Sequence, residues 1–312
     1  MRNFRMHKDK RPILVTGSHR SGTTWIGRTI ARHRQVRYVQ EPFHVRVPNR
    51  IVGLELETWF EHFWSSSQKE AIETSFEELL NASPMKFAID ACRVAGADVK
   101  TPFRFVKHLA TEGLFRPRIL VKDPIALMSA GWLSETFGFQ VVCMTRNPLG
   151  FVGSLKKAGW DFDFNNLERQ EKLMDGVLAP YAEDIRRMCH EREDSDFIGR
   201  SILLWNILHH VILDYRATQP DWRFVKHEDV AMDPEAGFRG IFEYLGLDYS
   251  DAVRKYIAES TSATNPKEGS SSLYQARDAK KAVTAWQERL TEAEIARIQA
   301  ETEEIARQLY PD

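Results

Sequence analysis

The chain has little of several things that mark particular protein classes. Its 312 residues include 3 cysteines, Cys92, Cys143 and Cys189, which are widely spaced and odd in number. That pattern excludes a disulfide framework and, without paired ligand spacing, a structural zinc site, so a reducing compartment is expected. Charge of one sign is missing too: 43 basic side chains stand against 44 acidic ones, and no bulk field recruits nucleic acid. Long apolar runs are absent. The most apolar long stretch, Phe197 to Tyr215, carries Arg200, Asn206, His209 and His210, which reads as a buried helix and not as an integral membrane segment. The basic start, Met1 to Arg11, has no apolar core behind it and does not read as a signal peptide, although it leaves peripheral membrane association open. These readings expect a cytoplasmic protein. No internal repeat or linker interrupts the chain, so one domain over residues 1–312 is expected, long enough to bury a sizeable core.

What the chain does carry is a strand that breaks into a glycine-bearing loop and then into a helix. Ile13 to Thr16 are β-prone, Gly17-Ser-His-Arg-Ser-Gly22 forms the loop, and Trp25, Ile26 and Ile30 begin a helical face. Such a junction aims backbone N–H groups and the positive end of a helix at one spot, which suits an anion. The spacing Gly17-x4-Gly22-Thr23-Thr24 approaches the nucleotide-triphosphate P-loop. Thr23, however, stands where that pattern needs its lysine, and Arg20 puts a cation on the loop instead. A second junction follows at Val141 to Ser154. There Val141–Thr145 reads as a buried strand, Asn147 as a helix N-cap and Pro148 as the first helical residue. Arg146 can fork onto a phosphate, and Ser154, two turns into the helix, leans back towards the same end.

The remaining elements are placed more coarsely. Val36–Gln40 is a strand opening into Glu41-Pro42-Phe43-His44, and Glu41, as the residue before a proline, is expected to be extended. Amphipathic helical stretches are read over Leu54–Trp64 and Glu70–Leu80. Arg118–Lys122 is a strand stopping at a charged turn, with a helix from Ile125 to Phe137. Leu167–Thr218 reads as two long helices divided near Glu193–Asp196, with Ser195 or Asp196 as cap. A strand over Trp222–Val230 precedes a helix from Asp233-Pro234 to Leu245-Gly246, and the capping box Thr291-Glu-Ala-Glu294 opens the last helix. His190, His209 and His210 lack acidic partners at ligand spacing and read as core or surface histidines. Thr261–Ser272 is a loop poor in apolar anchors, open to two readings: a lid that brings Arg277 to a nucleotide, or a plain connector.

The two junctions resemble a known family. Arg20-Ser21-Gly22-Thr23-Thr24-Trp25 is similar to the 5′-phosphosulfate loop of sulfotransferases that use 3′-phosphoadenosine 5′-phosphosulfate (PAPS), and Arg146-Asn147-Pro148 with Ser154 resembles their 3′-phosphate motif, in the same order along the chain. The resemblance implies a P-loop-like α/β fold, three layers around a mostly parallel sheet. It also implies PAPS as donor and PAP as product, with no metal. The donor-binding residues it implies are His19, Arg20, Ser21, Gly22, Thr23, Thr24, Arg146 and Ser154. Glu41-Pro42-Phe43-His44 is similar to an element of the carbohydrate sulfotransferases whose glutamate takes the acceptor hydroxyl's proton, implying Glu41 as base with His44 as the fallback. The Lys122-Asp-Pro124 turn resembles the one whose lysine faces the transferring group, so Lys122 and Arg20 complete the implied catalytic set. The implied acceptor is a small molecule or glycan, with a carbohydrate or glycolipid hydroxyl favoured over a phenol. His227 stands where the family usually has a tyrosine in a mainly structural tract. Two rivals remain: a nucleotide-binding module without catalysis, and a P-loop kinase, against which Thr23 counts. Oligomeric state is not readable.

Overall fold

Three strands are buried along their whole length: β1 (Ile13–Gly17), β3 (Arg118–Lys122) and β4 (Gln140–Thr145). That is the condition of strands covered on both faces, and it explains their near-continuous apolar runs. With β2 (Val36–Gln40) and β5 (Arg223–Lys226) they form one sheet of order β2-β3-β1-β4-β5, every pairing parallel. The computed structural model describes residues 11–45, 56–81, 118–190, 196–261 and 279–311.

Alternate residues of the central strands enter opposite layers. Leu14, Val121, Val141 and Cys143 join a cluster with α2 (Lys69–Asn81), α3 (Ala130–Phe137), α4 (Pro148–Ala158), α5 (Ala182–His190), α6 (Phe197–Thr218) and, later in the chain, α10 (Glu292–Leu309). Ile13, Val15, Leu120, Val142 and Met144 join the other, with α1 (Thr23–Ile30), α7 (His227–Met232), α8 (Pro234–Leu245) and α9 (Asp251–Thr261). The expected three-layer α/β architecture is therefore present. The helices leaving the neighbouring strands β1 and β3 lie on opposite faces, which opens a crevice beyond the carboxyl ends of these strands.

Caps behave as the side chains dictate. Asn147 accepts from Leu149 N–H at 3.0 Å with Pro148 next to it, and both bonds of the Thr291–Glu294 box are made. Asp196 caps α6 by accepting from Gly199 N–H.

Four readings are corrected. Residues 56–66 form turns, not a helix: the N–H groups of Trp59, His62 and Phe63 go to Asn166, Gln170 and Ser129 side chains, and Phe60 adopts φ 61°, which a helix excludes. The helix read from Ile125 begins as a 3₁₀ segment, Pro124–Ser129, before α3. The segment before α5 is broken into two short α-helical pieces, Asn165–Glu168 and Glu171–Asp175, and a 3₁₀ turn, Ala179–Tyr181; Gly176 ends the second piece, and Pro180 sits in the first turn of the third. The last strand stops at Lys226, because His227 already opens α7. Residues 54–55, Ser195 and residues 262–278, which include most of the stretch read as a loop and Arg277, lie outside the described residues. Among the described residues no helix is long and apolar enough to cross a membrane.

The tightest backbone approach is at the end of β1. Gly17 has φ 130°, and a Cβ there would sit 2.1 Å from the Met144 carbonyl oxygen, to which Ser18 N–H donates at 3.1 Å. Only glycine fits. Gly17→Ala is expected to cost roughly 2–4 kcal/mol by combining backbone strain with overpacking, read as a lowered unfolding midpoint in calorimetry.

Candidate active site

The crevice end of β1 carries the loop 18–22 and the start of α1. Gly22 caps α1 at φ 86° without a side-chain bond, so the first-turn N–H groups of Thr23, Thr24 and Trp25 have no intrahelical acceptor. A Cβ on Gly22 would lie 2.7 Å from His227 Nδ1, so α7 closes one side of the loop. The left-handed turn at Arg20, φ 64°, throws its side chain outward, while Ser21 Oγ donates back to the Ser18 carbonyl. Ser18 Oγ is buried with no hydrogen-bond partner.

The two junctions read from the sequence meet here. Arg20 Nε donates to Ser154 Oγ at 3.0 Å across 134 residues, and Arg146 Nη1 donates to the Arg20 carbonyl. Arg146 is buried, and Gly150 makes room for it, since a Cβ there would stand 3.1 Å from Arg146 Nε. Ser154 projects from the second turn of α4 and is also buried.

A second group gathers at the ends of β2 and β3. Lys122 is fully buried, and its ammonium pairs with the half-buried Glu41 carboxylate. Glu41 is not extended: it has φ 44°, a left-handed conformation that side chains rarely take. The bonds around it impose this. Glu41 N–H donates to the Lys122 carbonyl at 2.8 Å, and Phe43 N–H donates to Asp123 Oδ2 at 2.8 Å. Asp123 also accepts from Ile125 N–H at 2.9 Å, so one buried carboxyl ties both turns together. Burial pushes its pKa up to about 7, against the two N–H bonds and Lys122, which pull it down. His44 is half-buried, with its ring 4.9 Å from that of Trp59. Lys122 also lies against α1, where a Cβ on Gly27 would come 2.9 Å from Lys122 Cγ.

Sequence reading did not single out Asp123, Trp205 or Glu228. Asp123 had a signal in the charged residue before Pro124. The other two lie far along the chain: Trp205 Nε1 donates to the Arg146 carbonyl at 2.8 Å, and Glu228 accepts from Asn147 N–H at 3.0 Å.

His19 is turned inward. Its ring lies 4.4 Å from Trp160, 5.0 Å from Phe151 and 6.0 Å from Phe60, with both nitrogens buried and without a hydrogen-bond partner. Burial first, then the charges of Arg20 and His209, lower its pKa from 6.5 to about 3. A histidine held neutral in the fold but ordinary when unfolded contributes stability above pH 6.5 that is lost as pH falls towards about 3. In His19→Leu, the unfolding free energy from denaturant titrations is therefore expected to fall less steeply than in wild type between pH 6.5 and about 4. Parallel curves would contradict the burial assigned to the imidazole.

Comparison with known proteins now bears on this geometry. The model described as "Sulfotransferase family" matches residues 12–251, which include both junctions, Glu41 and Lys122. Human protein-tyrosine sulfotransferase 1 is 29% identical over 159 residues, covering 49% of this chain and 36% of that protein. An uncharacterized protein of Aquifex aeolicus is 25% identical over 267 residues, 81% of this chain and 28% of that protein. The chain thus spans about a third of the length of the curated relatives it matches. Among solved structures, the sulfotransferase domain from the curacin biosynthetic pathway superposes with a TM-score of 0.50 at 14% identity, over 97% of this chain and 98% of that one, a likeness of fold. With the family model spanning both strand-to-helix junctions and the crevice between them, the chain belongs to the sulfotransferase family.

Proposed function

We propose that the protein transfers a sulfuryl group from PAPS to an acceptor hydroxyl on a carbohydrate or glycolipid. The observation that carries this reading is the meeting of two cation-bearing junctions, with Arg20 bonded to Ser154 and Arg146 bonded to the Arg20 carbonyl. One junction alone suits a single phosphate chain; two side by side suit a nucleotide with anionic groups at both ends of its ribose. Local chemistry fits such a ligand. The first-turn N–H groups of α1 await acceptors, and the buried Ser18 hydroxyl has none.

When bound, PAPS supplies the activated sulfuryl group. The loop amides and Arg20 hold the phosphosulfate end, and Arg146 with Ser154 grips the 3′-phosphate. Lys122, already at the carboxyl end of β3, offsets negative charge developing on the sulfonate and the bridging oxygen. Glu41 takes the proton of the acceptor hydroxyl, a task for which its pairing with Lys122 aims the carboxylate. His44, next to the same turn, is the fallback base. The donor and base sides of the site therefore share one buried cation.

Three measurements test this. Arg146→Ala is expected to weaken PAP roughly 10–100-fold while leaving adenosine 5′-phosphate within about twofold; equal losses would sink the 3′-phosphate assignment. Glu41→Gln is expected to lower kcat by roughly 10²-fold or more with PAPS affinity nearly unchanged, and full activity would move the base role to His44 or elsewhere. Labelled PAPS offered with sugars, glycolipids and tyrosine peptides identifies the acceptor. The last are included because two relatives are protein-tyrosine sulfotransferases. Sulfation of the peptides alone would overturn the glycan half of the reading, and tight PAP binding without any transfer would favour a non-catalytic module.

A further inference from the structure

Arg146 stands just past the last rung of the sheet. The β4 ladder to β1 ends at Met144, and the ladder to β5 ends at Thr145. From there the backbone must be held by something else, or the arginine would swing with its loop.

Side chains of α6 take over. Trp205 Nε1 donates to the Arg146 carbonyl at 2.8 Å, and Arg146 N–H is directed at His209 Nε2, 3.4 Å away. Trp205 and His209 are one helical turn apart, both fully buried, with rings stacked 4.1 Å apart at 21°. The tautomer follows from the next bond. His209 Nδ1 is 2.8 Å from the Trp205 carbonyl, which can only accept, so Nδ1 carries the proton and Nε2 presents its lone pair to Arg146 N–H. Burial holds the ring neutral, with its pKa lowered from 6.5 to about 3. The following residue is fixed from the opposite side, where Asn147 N–H donates to the half-buried Glu228. A pair that merely filled the core would serve as well with apolar rings. Here the indole N–H and the free imidazole nitrogen address the two backbone groups of one residue.

We infer that Trp205 and His209 are positioning residues for Arg146, fixing its backbone so that the guanidinium reaches over Gly150 to the phosphosulfate loop, and thereby setting the preference for nucleotides that carry a 3′-phosphate. The inference rests on the reading of Arg146 as the 3′-phosphate grip.

The test compares PAP with adenosine 5′-phosphate by calorimetry. His209→Phe keeps the volume and the stack on Trp205 but loses the acceptor; His209→Gln restores an acceptor; Trp205→Phe removes the donor from the other side. His209→Phe and Trp205→Phe are each expected to lower the PAP to adenosine 5′-phosphate affinity ratio roughly tenfold, the scale of one buried hydrogen bond, and His209→Gln to recover most of it. Because the readout is a ratio measured on the same sample, loss of folded protein does not mimic the effect. If His209→Phe and Trp205→Phe keep the wild-type ratio while Arg146→Ala collapses it, the positioning role is overturned and the phosphate grip stands. If Arg146→Ala itself leaves the ratio unchanged, the grip fails first and the inference falls with it.

Discussion

Two strands must end almost in contact before their loops can share one ligand, and Gly17 against Met144 is where this chain makes that contact. The missing side chain lets β1 deliver Ser18 N–H to the Met144 carbonyl. That bond keeps loop 18–22 and the Arg146 turn at the same height. The bonds that join the two junctions, Arg20 to Ser154 and Arg146 to Arg20, depend on this spacing. A shift of a single residue in the register of β4 would also exchange its two faces, sending Cys143 and Met144 into the wrong layers.

The charges of the site are engaged before any ligand arrives. Lys122 is paired with Glu41, Arg20 is bonded to a hydroxyl, and Arg146 is bonded to a carbonyl. A buried ammonium without a partner would carry a desolvation cost of several kcal/mol. The Glu41 carboxylate offsets that cost while staying half-exposed on the crevice side. Neighbouring groups avoid adding charge: His19 and His209 are both held neutral by burial. The outcome is a set of cations whose positions are already fixed by protein groups at the crevice.

Much of this was legible in the residues alone, for local reasons. The strand-loop-helix junctions are contiguous, so Gly17 to Trp25 and Val141 to Ser154 state their own geometry, and the strands, the parallel sheet and the Asn147 and Thr291 caps followed. The failures share a different cause, in that distant side chains decided them. The aromatics of 56–64 have helical spacing, but their N–H groups are claimed by Asn166, Gln170 and Ser129. The expected extension of Glu41 gave way to its bonds around Lys122 and Asp123. His209 reads only as a core or surface histidine, and nothing within its own helix reveals that it is buried and faces a residue 63 positions earlier.

Glu41 adds a cost that no contact map displays. At φ 44° and followed by Pro42, it holds a conformation that costs on the order of 1–3 kcal/mol for a side-chain-bearing residue. Glycine would accept that backbone freely, so removing the carboxylate in that way trades chemistry for a relaxed turn. The position proposed as the base is thus also one where the fold has been left less stable than its own sequence alphabet allows. Selection for thermal endurance alone would erode it first, and any attempt to harden this protein has to hold residue 41 fixed while it changes the rest.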